Sequence, residues 1–194
     1  MIERIAAAGR ARRLPGIEGV WVFIAADLAI FGLLFVSFAL DRQEQATLFE
    51  HYRRRLDANF GGINTLILLS SSYLVALAVQ AAKADQRRRV ARYLAGSLLC
   101  GFAFGVSKIV EYRREISAGF SPATNDFLMY YFTLTGIHLM HVIAGCVVLS
   151  VLLKNARRQA YGRDSLCGLE TGVSYWHMVD LLWLLIFPLL YLMR

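Results

Sequence analysis

Apolar residues in this chain gather into five long runs, at about Gly19–Leu40, Ile63–Ala82, Tyr93–Tyr112, Phe127–Leu153 and Thr171–Met193, separated by short charged segments. Each run approaches the twenty or so residues that a helix needs to cross the hydrocarbon of a bilayer. The pattern predicts an all-α integral membrane bundle of five transmembrane helices, a single domain over 1–194 without linker, internal repeat or low-complexity segment. In the longest connection, RQEQATLFEHYRRRLDANFGG, Leu48, Tyr52, Leu56 and Phe60 recur every four residues opposite a charged face. That stretch reads as a short amphipathic helix on the membrane surface or as a helical extension of a neighbouring span, with His51 solvated. Asp126 or Thr124 is the expected cap of the fourth span. Pro188 leaves the carbonyl of Leu184 without its helical donor and is expected to bend the fifth, with Tyr191 and Arg194 anchoring that helix at the outer interface.

Composition strengthens the membrane reading, since 57% of the 194 residues are hydrophobic and mean hydropathy is +0.49, well above a soluble domain. The net charge of +7 raises the question of nucleic acid, but the basic residues sit in the segments between apolar runs, where they set topology. Thirteen Lys and Arg fall on the amino-terminal side of the five spans and seven on the other, with Lys108 inside a span. The positive-inside rule then predicts a cytoplasmic N-terminus and a periplasmic C-terminus. The stretch MIERIAAAGRARRLPG is basic without an apolar core and cleavage site, so it is not read as a signal peptide. KADQRRRVAR is a solvated basic loop, suited also to anionic headgroups or an acidic partner surface. Cys100, Cys146 and Cys167 are isolated and read as small packing residues.

Polar residues inside the apolar runs carry the functional question, because an intramembrane ionisable group needs a partner and a reason. Thr135, His138 and His141 form one stripe of the fourth span with Gly145 beside it, and Glu170, Ser174, His177 and Asp180 share a face of the fifth. Asp27 is the one ionisable group of the first span, proton-active or simply structural. Ser97, Gly101 and Gly105 make a small-residue stripe that admits a neighbouring backbone, with Lys108 on its edge and Glu111 one turn on. Lys108 either snorkels to the interface with Glu111 or is buried beside the glycines. The serines of INTLILLSSSYLVALAVQAA bond to their own helix or to a neighbour. Three histidines and scattered carboxylates fall short of a di-iron or haem ligand set, and no nucleophile, phosphate loop or nucleotide motif is present. Depth arithmetic predicts two hydrogen-bonded layers, Asp27 with the fifth span and Glu111 with the fourth, neither holding a metal.

The segments WVFIAADLAIFG, INTLILLSSS, KIVEY, TGIHLMHVIAG and ETGVSYWHMVDLLWLLIFPLLYL, in that order, resemble subunit III of the haem-copper oxidases, the cytochrome c oxidase subunit III family. They span about nine tenths of the chain, and the pattern looks most like the short five-helix NorE-type members associated with nitric oxide reductase, with quinol oxidase subunit III as the nearest rival. The resemblance implies a multi-pass protein of the bacterial inner membrane that has no redox centre of its own. Its partner would be the catalytic subunit I of a haem-copper oxidase or nitric oxide reductase, which holds the haem and metal. It further implies bound phospholipid and a role in proton uptake and complex lifetime. Asp27 takes the position of the family's intramembrane carboxylate, and the chain lacks the two extra N-terminal helices that wall a lipid-filled cleft in long members.

Overall fold

In the computed structural model, residues 18–162 and 165–193 are described. The basic segment before Glu18, Arg163 and the expected interfacial Arg194 lie outside the described residues. The described chain is helical throughout its five apolar runs: α1 (Glu18–Glu44), α2 (Ala46–Arg53), α3 (Ala58–Lys83), α4 (Arg87–Ser117), α5 (Asp126–Arg157) and α6 (Cys167–Phe187), closed by a π-helical turn over Pro188–Leu192. All but α2 are long and apolar enough to span a membrane. At 1.5 Å per residue the spanning helices outrun the roughly 30 Å hydrocarbon, so their ends reach the headgroup layers.

Helices α3, α4, α5 and α6 close a cycle in which each packs on the next, and α1 lies outside it against α5 and α6. Half of α6's apolar window is buried by protein against 22% for α1, which makes α6 central and α1 peripheral. Small residues allow the close approaches. A Cβ on Gly145 would sit 2.6 Å from ring carbons of Trp176, and one on Gly101 would meet Cys146 Sγ at 2.8 Å and Trp176 at 2.9 Å. Gly105 departs from the expected stripe. A Cβ there meets nothing within 4 Å, because past Gly101 the two helices leave an apolar groove between α4 and α5.

Both readings of the long connection occur. α1 continues as helix to Glu44, and the separate short helix α2 then packs on α1 and α5. Its anchor is Phe49, outside the expected four-residue stripe, which packs edge-on against Phe38 and Phe127. Leu56 is buried, Leu48 and Tyr52 are half-buried, and Phe60 belongs to the first turn of α3, under the Arg114 guanidinium. Asp57 caps α3 through the backbone N–H groups of Asn59 and Phe60. For α5 the expected cap shifts by one. Asn125, extended in backbone, accepts from the N–H of Leu128, while Asp126 accepts from Gln45 and Thr124 from the Ser121 N–H.

At the opposite end the α3–α4 and α5–α6 turns carry Asp85 and Gln159 at φ 54° and 56°. Both sit where a helix C-terminus prefers glycine. Arg87 joins the two turns, its guanidinium donating to Asp85 Oδ1 at 3.0 Å and to the Gln159 carbonyl at 3.2 Å.

Candidate functional site

The ion pair Lys108–Glu111 is inside the bundle. Lys108 is 0% exposed and donates to Glu111 Oε2 at 2.8 Å and to the Tyr191 hydroxyl at 3.2 Å. Rings of Tyr112, Tyr131, Trp183 and Tyr191 surround its ammonium at 5.1–5.9 Å, so π faces and two acceptors replace water around the charge. Glu111 also accepts from Tyr131 at 2.9 Å and from Tyr191. A buried pair is tolerable only when such extra bonds satisfy the remaining lone pairs and protons. Burial thus decides between the two readings of Lys108. Glu111 does bond the fourth span, through Tyr131 rather than His138.

Tyr191 is 1% exposed, an inner ligand of Glu111 and not the interfacial anchor that its terminal position suggests. The reason is local. Proline has no N–H to continue the α-ladder, and the chain after it widens into a π-turn, closed by Met193 N–H to the Pro188 carbonyl at 2.9 Å. That turn leaves the Tyr191 hydroxyl inward and its carbonyl outward, where Arg53 of α2 donates to it at 3.0 Å.

Asp27 corrects the expected layering. Its carboxylate meets His141 Nε2 of the fourth span at 3.1 Å, and not His177 or Asp180 of the fifth. His141 Nδ1 lies 2.8 Å from the Ile137 carbonyl, which can only accept, so Nδ1 carries a proton. Nε2 is the nitrogen that faces the Asp27 carboxylate, and the pair links α1 to α5. Phe31 covers the imidazole from the side, and Tyr175 of α6 donates to the His141 carbonyl at 3.3 Å.

The stripe of the fourth span divides. His141 faces α1, whereas His138, 0% exposed, packs edge-on against Phe104 and tilted against Trp183, with neither ring nitrogen bonded among the described residues. Thr135 donates to the Tyr131 carbonyl and meets Tyr112 at 2.6 Å.

On α6 the polar face reads against α3. Trp176 donates to Ser71, His177 Nδ1 meets Ser72 at 2.6 Å and Trp183 donates to Thr65. Ser71 continues to Ser97 on α4 at 2.7 Å, while Ser70 turns back to its own helix at the Leu66 carbonyl. Both behaviours of the serine run are present. Glu170 lies at the entrance of α6, 3.3 Å from Lys83. Asp180 is 4% exposed without a hydrogen-bond partner among the described residues, as is Asn64 at 0%. Among the described residues, no three of His, Cys, Asp and Glu converge as a metal site.

Comparison with known proteins places this arrangement. The family described as cytochrome c oxidase subunit III matches residues 57–194, which takes in α3 to α6 with the Lys108–Glu111 cluster and the fifth-span block. The chain belongs to the cytochrome c oxidase subunit III family. It is 30% identical to cytochrome c oxidase subunit 3 of Synechocystis over 90% of this chain and 74% of that one. To cytochrome bo(3) ubiquinol oxidase subunit 3 of Pseudomonas putida it is 27% identical, over 90% of this chain and 84% of that one. A protein of Aeropyrum pernix named heme-copper oxidase subunit I+III is 32% identical over 90% of this chain, which spans 22% of that relative's length. Five spanning helices and these relatives make the chain a multi-pass bacterial membrane protein.

Tyr131 and Tyr191 join the site although the sequence reading gave neither a polar role inside the bundle. A usable signal existed for Tyr191, since a proline three residues upstream permits a change of helical phase.

Proposed function

We propose that this chain is a non-redox accessory subunit of a respiratory haem-copper complex, docked beside a catalytic subunit I that holds the haem and metal. One observation carries the reading. The membrane polar groups on this chain are engaged mainly with one another, helix to helix, as Asp27–His141, Lys108–Glu111–Tyr191 and His177–Ser72, the pattern of a stabilised bundle. Family membership supports it, and so does the relative whose name joins subunits I and III in one chain, for such a fusion holds two partners at high effective concentration. Nitric oxide reductase of the NorE-associated kind is the partner complex to which the sequence resemblance points, and a cytochrome c or quinol oxidase is the alternative. The same bundle is proposed to hold phospholipid and, through the Asp27–His141 pair, to assist proton uptake.

Extraction of the tagged full chain from its own membrane in mild detergent tests the reading. A haem-bearing subunit I should co-purify in fixed stoichiometry, and its identity separates oxygen from nitric oxide as substrate. Turnover or a haem spectrum from the chain freed of every partner would refute the accessory role.

A further inference from the structure

The polar face of α6 is only half enclosed. Trp176, Asp180 and Trp183 are buried in the bundle, but Glu170, Ser174, His177, Leu181, Leu184 and Pro188 follow one another in steps of four and three along the side that the packing leaves open. Leu181 and Leu184 are 47% and 38% exposed, and the other four are half-buried. Steps of four and three make the seam of a left-handed helix pair. At 1.5 Å per residue this seam runs roughly 27 Å, comparable to the thickness of the hydrocarbon.

His177 makes that seam polar at depth. It lies roughly 9 Å inside the apolar run that begins at Thr171. Its Nδ1 is taken by Ser72 at 2.6 Å, while Nε2 has no partner among the described residues and is not sealed in the interior. Tyr73, the next residue of α3, is 65% exposed at the same level, and its hydroxyl also has no partner among the described residues. Acyl chains offer neither donor nor acceptor, and a polar group left unpaired in hydrocarbon is costly. The one acid of the seam, Glu170, is already held by Lys83 at 3.3 Å, so the unmet need is for a hydrogen bond and not for a charge. The groove between α4 and α5 makes no such demand, since its polar lining is Ser150, bonded to its own helix, and the terminal Lys154. We propose that the Glu170–Pro188 seam receives a transmembrane helix of the haem-bearing partner subunit, with a hydroxyl, amide or carboxyl side chain of that helix bonding His177 Nε2. The identity of the helix rests on the accessory role proposed above.

A photoreactive benzoylphenylalanine placed at Leu181, or at Val106 in the α4–α5 groove, tests this in the native membrane with every partner present. Leu181 should cross-link to the haem-bearing subunit and Val106, 61% exposed on another face, should not. Leu181→Trp, which crowds the seam from exposed surface, should lower the amount of that subunit recovered with the chain in mild detergent, and Val106→Trp should leave it intact. His177→Leu should lower recovery roughly 3- to 10-fold, the usual worth of one polar contact between membrane helices. His177→Gln, which keeps a donor and an acceptor, should restore most of it. Thermal unfolding of each variant separates lost docking from lost fold, and Leu181→Trp serves if His177→Leu misfolds. Cross-linking of Leu181 to lipid alone or to a second copy of this chain, equal cross-linking from Val106, or full recovery with both Leu181→Trp and His177→Leu would each overturn the seam while leaving the accessory role standing. Absence of any haem-bearing partner from the wild-type chain would overturn both.

Discussion

Asp27 and His141 meet at 3.1 Å across the α1–α5 contact, and the Ile137 carbonyl fixes which imidazole nitrogen is left for the carboxyl. α1 is the peripheral helix, and this pair joins the Tyr130–Asp41 bond and the Phe38 contacts in docking it on α5. Asp27→Ala should lower stability by about 1–2 kcal/mol, the upper range for a polar contact inside a membrane protein. Asp27→Asn, whose amide oxygen and amino group offer His141 both an acceptor and a donor, should cost less. Thermal unfolding in detergent checks the order, and an Asn variant as unstable as the Ala variant contradicts the pairing.

Lys108 and Glu111 make a sharper test because both are inside the bundle. Removing one charge strands the other, at a typical cost of about 3–5 kcal/mol. Glu111→Gln and Lys108→Met should each fall in that range, while the double variant should be more stable than either single one. Additive losses in a double-mutant cycle would show that the two groups do not act as a pair.

Gly145 and Gly105 lie on the facing helices α5 and α4 but differ in what surrounds them. Gly145→Ala forces a methyl against the Trp176 ring and should destabilise by about 1–3 kcal/mol. Gly105→Ala enters open space and should be neutral or slightly stabilising, since alanine is the better helix former. Equal effects at the two positions would contradict the packing.

Much of this architecture is readable in the sequence, and the failures have physical causes. Five apolar runs become five spanning helices because length and hydropathy are local properties. Lys108 is buried because it shares the inward face of α4 with Ser97, Gly101 and Phe104. Depth arithmetic misplaced Asp27, because rise per residue gives height and not facing: α1 does adjoin the fifth span, yet the carboxylate turns to His141 of the fourth. Tyr191 was hidden by the π-turn, which changes the helical phase on which face assignments depend. Phe49 escaped because the stripe was phased across two helices that break at Arg54. His138 does lie inside, yet its surroundings are aromatic where the stripe suggested a polar layer.

Glu50 is the titrating group of the surface clamp. Hydrogen bonds from Arg53, then from Arg54, pull its carboxyl from 4.5 down to about 2. A carboxyl lowered on folding contributes its full stability above the unfolded value near 4.5, and that contribution is lost as the pH falls through about 2. Backbone amides of α2, corrected for intrinsic exchange, should therefore be less protected at pH 3 than at pH 6. Glu50→Gln should remove that difference, and an unchanged pH response in the variant would exclude Glu50 as its source.

The 13 to 7 excess of basic residues on one side of the spans predicts a cytoplasmic N-terminus and a periplasmic C-terminus. A reporter fused after Arg194 should be active only in the periplasm. Activity on the cytoplasmic side would reverse the topology.

Deletion of this subunit in its own organism, with the catalytic partner recovered from the membrane, tests the accessory role most directly. Haem spectra of the remaining complex should be unchanged while turnover, or the number of turnovers before inactivation, falls. Loss of a haem signal from an otherwise assembled complex would contradict the account.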